Sequence, residues 1–466
     1  MINTIAKIAM PARHHASKQF KKSIGTAQQS RWNYFLGTTT NTTTFLQEKL
    51  LQPTSTKRFI STTNIKHEQE ESGLYPGNVT VPYVSEIDFV KPEAMDIWPA
   101  FRILNNDGSV REGATDPDLP KDVVINMYTV MARLATMDKV FYDAQRQGRI
   151  SFYMTSGGEG GIHVGSAAGL SDDDMIYAQY REAGVLMWRG FTLQQFADQC
   201  FSNVGDPAKG RQMPVHYGSV KYNFQTISSP LTTQLPQAAG ASYAFKNAKL
   251  DRIVACYFGD GAASEGDFHP ALNFAATREC PIVFFCRNNG FAISTPVKDQ
   301  YRGDGIASRG IGYGMATIRV DGNDVFAVHE VTKEARRIAL EEQRPVLIEA
   351  MTYRQGHHST SDDSTRYREV DEIKSWKEKD DPQRRLRGYM EEKGWWSDKE
   401  EEKLMKEERE AVLKALNAAE TKPTAEMDEL FTDVYDEKPQ QLLDQEKELH
   451  EHIQKYPDQY KVGGHH

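Results

Sequence analysis

Two short apolar runs, each followed at once by oxygen-bearing side chains, decide how this chain folds. The first lies in RIVACYFGDGAASEG, residues 252–266, where Asp260 stands between two glycines. The second lies in PIVFFCRNN, residues 281–289, which ends on Asn288 and Asn289. Uninterrupted apolar runs of this length are typical of strands in a parallel sheet that is covered on both faces.

Runs of the same kind alternate with helical patterns along most of the chain. The further strand patterns are DDDMIYAQY, ATIRVDG and RPVLIEAMTYR. The helical patterns between them, with apolar residues three and four positions apart, are GFTLQQFADQCFSN, PLTTQLPQAAGASYAFKNA, FHPALNFAATREC and AVHEVTKEARRIALEEQ. A longer helix is predicted from Asp122 to a terminating Gly148. This alternation predicts an α/β fold with a parallel sheet flanked by helices.

The polar side chains at the ends of the two central runs predict a ligand site. Ligands of open α/β sheets bind at the carboxyl ends of the strands, so we expect Asp260 to lie close to the asparagine pair. The neighbouring Gly259 and Gly261 would let the backbone approach a ligand closely. Side-chain oxygens completed by phosphate oxygens suit Mg²⁺, and a helix predicted to begin just after Asp260 would add N–H donors for an anion. The pattern therefore predicts a Mg²⁺–diphosphate site.

Three other interpretations of the GDG turn fit the sequence less well. A Walker loop ends on Gly-Lys-Ser/Thr, which this turn lacks. A dinucleotide fingerprint needs GxGxxG, but the third glycine here falls two positions late, and an acid between the first two would repel a pyrophosphate. A glycine turn capped by an aspartate would account for GDG alone, but it leaves the asparagine pair unexplained.

Charge separates the beginning of the chain from the rest. Residues 1–60 hold nine Lys and Arg and a single acid, Glu48, which leaves 47 basic against 64 acidic residues, a net charge of −17. A body this acidic argues against nucleic acid as the main partner.

A segment rich in Ser, Thr and basic residues is typical of a transit peptide, so residues 1–60 predict import into the mitochondrial matrix; a basic, disordered tail is the alternative.

Composition also predicts the remaining organisation. No stretch approaches 18 uninterrupted apolar residues, so no membrane span is expected, and the four cysteines lack CxxC spacing and are expected to be reduced. Residues 61–100 are polar and punctuated by Pro and Gly, which favours an extended arm, and residues 101–381 hold the ligand-binding domain. After Asp381-Pro382 the helical patterns become highly charged, so residues 382–466 are predicted as a helical region that is solvated or packed along a partner.

Longer motifs resemble one family. GDGAASEG followed by the asparagine pair resembles the thiamine-diphosphate motif. The motifs that carry the wider resemblance are QYREAGVLMWRG (179–190), GRQMPVHYGS (210–219), ISSPLTTQ (227–234), CRNNGFAISTP (286–296), YRGDGIASRG (301–310), VDGNDVFAV (320–328) and YRQGHHSTSDDSTRYR (353–368). Together they are similar to the alpha subunits of the mitochondrial branched-chain 2-oxo acid dehydrogenases, the thiamine-dependent decarboxylating components, over roughly residues 85–460.

The resemblance implies a thiamine-diphosphate fold and a set of cofactor residues. It implies that Mg²⁺ is held by Asp260, Asn289 and the backbone carbonyl of Phe291. The residues implied to contact the cofactor are Gln179, Tyr180, Arg181, Leu231, Gly259, Asp260, Gly261, Arg287, Asn289 and His358. Arginine suits the diphosphate because its planar guanidinium stays charged and pairs with two oxygens. Gln179 is also implied to lie near the substrate carboxylate.

A second ion is implied by the SSPLTTQ motif. The resemblance predicts a structural K⁺ site from Ser228, Pro230, Thr233 and Gln234. From the residues alone, Ser229-Pro230 predicts the start of a helix, with serine as the N-cap and proline at the first helical position.

The motif RQGHHSTSDDS is implied to carry catalysis and regulation. His358 is predicted as the acid–base residue, because an imidazole suits proton transfer near neutral pH. Ser359 matches the serine that a dedicated kinase phosphorylates and a phosphatase restores, and Glu369 stands where relatives can carry a second such serine. Asp362, Tyr367 and Arg368 are expected to hold the loop in order, and Phe152 or Tyr153 to line the acyl pocket or the core.

The chain as predicted lacks half of a thiamine enzyme. Only one domain of the required type is predicted, so the resemblance implies an α₂β₂ heterotetramer in which a beta subunit supplies the glutamate that activates the cofactor. It also implies transfer of the acyl group to a lipoyl-bearing acyltransferase core. The alternatives are a pyruvate dehydrogenase-type alpha subunit with the same mechanism and a non-catalytic scaffold of the same fold.

Overall fold

The computed structural model of the protein describes residues 72–460, and the predicted transit peptide and the first part of the predicted arm lie outside this range. The described residues fall into two units, divided between Asp88 and Phe89. In the first unit, strands β1 (Ser72–Tyr75) and β2 (Val79–Pro82) form an antiparallel hairpin. The site residues predicted from the sequence all belong to the second unit.

The second unit is built on a six-stranded parallel sheet. Its strands are β3 (Ala100–Phe101), β4 (Met175–Tyr177), β5 (Val254–Gly259), β6 (Ile282–Asn288), β9 (Ala316–Asp321) and β10 (Val346–Met351). They lie in the order β3-β9-β10-β6-β5-β4, and every neighbouring pair is parallel. A short hairpin of β7 (Phe291–Ala292) and β8 (Thr295–Pro296) follows β6. The predicted α/β fold is confirmed.

Helices cover both faces of this sheet. They are α1 (Lys121–Arg146), α2 (Gly160–Gly169), α3 (Ala183–Trp188), α4 (Leu193–Cys200), α5 (Gln234–Asn247), α6 (Phe268–Thr277), α7 (Val297–Gln300), α8 (Ala307–Gly312) and α9 (Val325–Glu341). The C-terminal helices are α10 (Val370–Lys379), α11 (Pro382–Glu392), α12 (Asp398–Glu420) and α13 (Gln440–Lys455).

Alternate side chains of the strands feed two cores, one on each face. On β5, Ala255 and Tyr257 join one core, whereas Val254, Cys256 and Phe258 join the other. This alternation follows from the two-residue period of a strand and explains why both central runs are apolar at every position. All four cysteines are buried free thiols. None of the helices within residues 72–460 has the length and apolarity needed to cross a membrane.

Two predicted helix starts are wrong. Helix α5 begins at Gln234, not at Ser229-Pro230, because Thr232 has a left-handed backbone with φ of 69° that interrupts a helix before that point. After Asp260 the chain makes only a 3₁₀ turn over Ala262–Ser264, and α6 begins at Phe268. The expected helix N-terminus beside Asp260 is therefore absent from the described fold.

The charged C-terminal region is divided in its packing. Helix α12 packs on α1 and α4 of its own chain, and Leu386 of α11 and Leu416 of α12 enter the main core. The main contacts of helix α13, in contrast, are with two neighbouring 3₁₀ turns, Met427–Phe431 and Pro457–Gln459.

Candidate active site

The carboxyl ends of β5 and β6 bring the predicted metal ligands together. Gly259 at the end of β5 pairs in register with Arg287 of β6, so Asp260 and the asparagine pair leave the sheet side by side. Asp260 is 1% exposed, and its side chain accepts a hydrogen bond from Gln300 at 2.8 Å. Burial raises the pKa of this carboxyl above its ordinary value, despite the amide donor and the charge of Arg287 nearby. A buried carboxylate with a neutral amide donor is a fitting ligand for a cation.

The glycine after Asp260 is required by a close contact. A Cβ atom at Gly261 would lie 2.6 Å from the Cβ of Ala292, so the turn presses directly on the β7–β8 hairpin. Phe291 of this hairpin pairs across the ladder with Pro296, which has no N–H to offer to the Phe291 carbonyl. The turn and the hairpin thus bring the Asp260 and Phe291 positions to one edge.

The two asparagines have separate environments. The Asn288 amide donates to Glu349 Oε1 at 2.8 Å and to the Tyr301 hydroxyl at 3.1 Å. The Asn289 amide donates to Glu159 Oε1 at 2.7 Å, and its oxygen accepts from the Phe291 N–H at 3.3 Å. Asn289 therefore contacts Glu159 and the Phe291 backbone, whereas Asn288 contacts Glu349 of β10 and Tyr301.

Sequence reasoning missed Glu159. This carboxylate is completely buried, and it accepts hydrogen bonds from Asn289 and from Arg287 Nη1 at 2.6 Å. Burial alone would raise its pKa, but the charges of Arg287 and Arg181 hold the pKa at about 2. A signal was present, since Glu159 stands within SGGEGG, residues 156–161, another acid between glycines.

Arg287 is held by three side chains. It donates from Nε to Glu182, from Nη1 to Glu159 and from Nη2 to Gln179 Oε1 at 3.1 Å. The same Gln179 oxygen accepts from the Gly259 N–H at 2.8 Å. A guanidinium has five N–H groups, so two remain for an anionic ligand. Glu182, also missed by sequence reasoning, has its pKa raised by complete burial.

Arg181 and His358, both implied by the resemblance to contact the cofactor, lie in direct contact with each other. Arg181 Nη2 lies 3.1 Å from His358 Nδ1 and donates to the His358 carbonyl at 2.8 Å, and Nη1 donates to the Thr155 carbonyl at 2.5 Å. A guanidinium only donates, so Nδ1 is the acceptor and the neutral ring carries its proton on Nε2. Burial, together with the charges of Arg181 and Arg354, lowers the pKa of His358 to about 3. The ring packs edge-on against Tyr180, with centroids 5.9 Å apart.

The loop after His358 is held by internal contacts. Asp362 Oδ2 accepts from the His358 N–H at 2.7 Å and from the Tyr367 hydroxyl at 2.6 Å. Arg368 donates to the carbonyls of Arg354 and, at 2.6 Å, of Gly356. Ser359 is 8% exposed in this arrangement, so a modifying enzyme would need the loop to open.

Tyr153 belongs to the core and not to an open pocket. Its ring packs edge-on against Phe141 at 5.5 Å, and its hydroxyl donates to Asp138 Oδ1 at 2.9 Å. Phe152, its neighbour, is half-buried against the same core. The alternative of core packing is thus the observed one for Tyr153.

Oxygen atoms converge at three of the four predicted K⁺ positions. Thr233 Oγ1 lies 3.2 Å from Ser228 Oγ and 3.0 Å from the Pro230 carbonyl oxygen. The Gln234 side chain instead donates to the Tyr257 carbonyl at 3.1 Å. Leu231 is 38% exposed on the same segment.

A further contact on this segment was not predicted. The buried His216 accepts from the Ser229 hydroxyl at 2.5 Å through Nε2, because its Nδ1 donates to the Pro214 carbonyl at 3.0 Å. This hydrogen bond fixes the Ser229 side chain within the segment that carries the predicted K⁺ positions.

Comparisons with known proteins agree with the resemblance. The model of the family described as Dehydrogenase E1 component matches residues 128–428. A Macaca fascicularis protein named 2-oxoisovalerate dehydrogenase subunit alpha, mitochondrial, is 55% identical over 402 residues, 85% of this chain and 90% of the relative. A protein of the same name from Dictyostelium discoideum is 60% identical over 365 residues, 78% of this chain and 83% of the relative. The Arabidopsis thaliana protein named subunit alpha 1 is 52% identical over 391 residues, 84% and 83% of the two chains.

Proposed function

The chain belongs to the dehydrogenase E1 component family, and we propose that it is the alpha subunit of a mitochondrial branched-chain 2-oxo acid dehydrogenase. The observation that carries the proposal is the convergence of Asp260, Asn289 and two buried arginines at the carboxyl edge of β5 and β6. The relatives named for 2-oxoisovalerate favour branched-chain substrates over pyruvate.

The residues present fit Mg²⁺ and thiamine diphosphate. Asp260, Asn289 and the Phe291 carbonyl offer three oxygen ligands, the number that leaves room for diphosphate oxygens in an octahedral shell. Arg181, Arg287 and Tyr180 would hold the diphosphate, and Leu231 would contact the apolar part of the cofactor. Gly259 and Gly261 would leave space for it. Three converging oxygens at Ser228, Pro230 and Thr233 support a structural K⁺, with Gln234 as the fourth position.

Thiamine diphosphate, when bound, supplies the electron sink for loss of CO₂ from a 2-oxo acid. The chain's own residues bind, orient and move protons around it. The neutral His358 carries a proton on Nε2, which it would donate to or recover from substrate oxygen, and Arg181 keeps this tautomer in place. Gln179 would orient the substrate carboxylate from its position between Gly259 and Arg287.

A beta subunit is needed to complete the enzyme. The described residues contain one six-stranded parallel sheet, so the glutamate that activates the cofactor would come from a partner in an α₂β₂ heterotetramer. The acyl group would pass to a lipoyl group of the complex's acyltransferase core. A kinase acting on Ser359 would place about two negative charges beside Asp362 and the cofactor arginines, and a phosphatase would remove them.

The proposed organisation of the chain has four parts. A transit peptide, residues 1–60, would direct the chain to the mitochondrial matrix, and an arm would follow over residues 61–100. The cofactor domain would occupy residues 101–381, and the C-terminal helical region residues 382–466. The mitochondrial names of the relatives support the first assignment.

Substrate turnover tests the proposal. The chain, co-expressed with its beta subunit, is assayed for decarboxylation of 3-methyl-2-oxobutanoate and pyruvate at equal concentrations, with thiamine diphosphate and Mg²⁺. We expect a higher kcat/KM for the branched substrate, by at least about tenfold, since a site shaped for extra methyl groups discriminates by about 1–3 kcal/mol for each. Preference for pyruvate would favour the pyruvate-type alternative, and failure to bind the cofactor would favour a scaffold.

A further inference from the structure

Glu159 is delivered to the site by an unusual stretch of backbone. Gly158, just before it, has φ of 93°, and a Cβ atom there would lie 2.1 Å from the Tyr353 carbonyl oxygen. The Thr352 hydroxyl donates to the Gly158 carbonyl at 2.9 Å, which fixes the segment against the end of β10. Helix α2 begins directly after Glu159. The carboxylate is therefore held by a backbone that only glycine permits.

Its two oxygens contact two different cofactor residues. Oε1 accepts from the Asn289 amide at 2.7 Å, and Oε2 accepts from Arg287 Nη1 at 2.6 Å. An ionised carboxylate can only accept, so the nitrogen of the Asn289 amide must face Glu159 and its oxygen must face away. On that other side the amide oxygen lies 3.3 Å from the Phe291 nitrogen, at the edge where the metal is proposed.

We infer that Glu159 is a positioning residue of the metal–diphosphate site. It decides which atom of Asn289 is presented to the cation, and it holds the Arg287 guanidinium for the diphosphate. This inference rests on the proposed function, because it assumes that Asn289 and Arg287 bind the metal and its diphosphate.

Glu182 provides a matched comparison. It is as deeply buried as Glu159 and also pairs with Arg287, but its other oxygen accepts from the Gln179 N–H at 2.7 Å and not from Asn289. Both carboxylates therefore contact Arg287, but only Glu159 contacts Asn289. A role through Asn289 predicts that only Glu159 affects metal affinity strongly.

The test is metal binding in the absence of substrate. The α₂β₂ protein, saturated with thiamine diphosphate, is titrated with Mg²⁺ by calorimetry for wild type, Glu159→Gln and Glu182→Gln. We expect the Mg²⁺ dissociation constant to rise by at least about tenfold in Glu159→Gln, the effect of losing one charge-assisted hydrogen bond, and by less than about threefold in Glu182→Gln. Equal affinity in wild type and Glu159→Gln, or equal losses in the two variants, would overturn the inference.

An exchange of the two partners gives a second, charge-neutral test. In Asn289→Asp the carboxylates of residues 159 and 289 repel each other, whereas in Glu159→Gln with Asn289→Asp the glutamine donates to the aspartate and leaves the other aspartate oxygen for the metal. We expect the double variant to bind Mg²⁺ at least about tenfold more tightly than Asn289→Asp alone, because one hydrogen bond to a charged group is regained. No recovery would contradict the inference even if Glu159→Gln alone does not assemble.

Asp260→Asn in the same titration separates the two proposals. If Asp260→Asn abolishes Mg²⁺ binding and Glu159→Gln does not weaken it, the positioning role fails and the proposed site stands. If neither variant nor wild type requires Mg²⁺ to hold the cofactor, the proposed site itself fails.

Discussion

Arg181 donates two hydrogen bonds to His358, one to ring Nδ1 at 3.1 Å and one to the backbone carbonyl at 2.8 Å. Arg181 would contact the diphosphate and His358 would transfer protons, so this pair links cofactor binding to proton transfer. The bonds also fix the tautomer of the ring, since only an unprotonated Nδ1 can accept from a guanidinium.

Arg181→Lys is expected to reduce kcat/KM by about 100-fold. An ammonium keeps the charge but cannot reproduce the planar set of bonds to His358 and Thr155, and each lost charge-assisted bond is worth about 1.5–3 kcal/mol. Arg366→Lys is the control, because Arg366 is an exposed arginine of the same loop with a 3.5 Å contact to Asp363. Steady-state kinetics of the heterotetramer measure both, and a loss below about threefold in Arg181→Lys would contradict the linkage.

Gly261→Ala is expected to weaken binding of thiamine diphosphate with Mg²⁺ by about tenfold or more. The added methyl group meets the Cβ of Ala292 at 2.6 Å and must displace the hairpin that carries the Phe291 carbonyl, an overpacking that typically costs about 1–3 kcal/mol. Gly266→Ala is the control, since nothing lies within 4 Å of a Cβ there. Equal cofactor affinity in the two variants, measured by calorimetry, would show that the turn tolerates displacement.

Asp138→Asn is expected to loosen residues 153–156, which contact both Arg181 and the loop after His358. Asp138 accepts from the Ser156 N–H at 2.5 Å and the Tyr153 hydroxyl at 2.9 Å, and residue 153 in turn pairs with Thr360. Asparagine brings an N–H against one of these donors, which costs about 1–3 kcal/mol in a buried site. We therefore expect hydrogen exchange over residues 153–156 and 357–364 to rise by about tenfold or more.

The control for that measurement lies on the same helix. Asp143 of α1 is exposed, and Asp143→Asn should leave exchange in both segments unchanged. Unchanged exchange in Asp138→Asn as well would mean that other contacts suffice to hold the segment.

His163 is expected to make stability fall in acid. It is completely buried beside Glu159, and burial, with Arg287 and Arg181, lowers its pKa to about 3 from an ordinary 6.5. Below pH 6.5 the unfolded chain binds a proton that the folded chain refuses, so stability falls as pH drops toward 3, by at most about 1.4 kcal/mol per pH unit for this group. His358, shifted in the same direction, adds to the slope.

His163→Gln should therefore flatten, but not abolish, the loss of stability between pH 6.5 and pH 4. Thermal unfolding of the heterotetramer without cofactor, at fixed protein concentration, measures the slope. An unchanged slope in His163→Gln would show that folding does not lower the pKa of His163.

Strands and the site edge were predictable because their signals are local. The apolar runs before Asp260 and Asn289 became β5 and β6, and the parallel order placed their carboxyl ends together, as a sheet with helical connections requires. The helical pattern from Asp122 also became α1, and the terminating Gly148 has φ of 77°.

Helix α2 was not predicted, because its glycines serve close helix packing that is visible only in the tertiary structure. Glycine is a poor helix former, so GGIHVGSAAG carries no helical signal. A Cβ atom at Gly165 would lie 2.6 Å from the Val325 carbonyl oxygen, and one at Gly169 would lie 2.8 Å from that of His329. The glycines therefore allow α2 to pack closely on α9, and this gain overrides propensity.

The contacts of the supporting carboxylates could not be predicted for a similar reason, although SGGEGG marks Glu159 itself. Glu159 and Glu182 lie 105 or more residues before Arg287 in sequence, and their common contact exists only after the sheet has formed. The sequence alone identifies residues with ligand chemistry, whereas the partners that orient them are defined by packing.

Calorimetric titration of the heterotetramer with thiamine diphosphate, with and without Mg²⁺, tests the central claim most directly. Wild type, Asp260→Asn and, as a control, the exposed Glu265→Gln of the same turn are compared. If Asp260 is a metal ligand, Mg²⁺ should tighten cofactor binding by at least about tenfold in wild type and in Glu265→Gln. It should have little effect in Asp260→Asn, because the neutral oxygens of Asn289 and the Phe291 carbonyl alone hold Mg²⁺ poorly. Full Mg²⁺ enhancement in Asp260→Asn would mean that GDG is only a turn, and the metal–diphosphate site would have to be placed elsewhere.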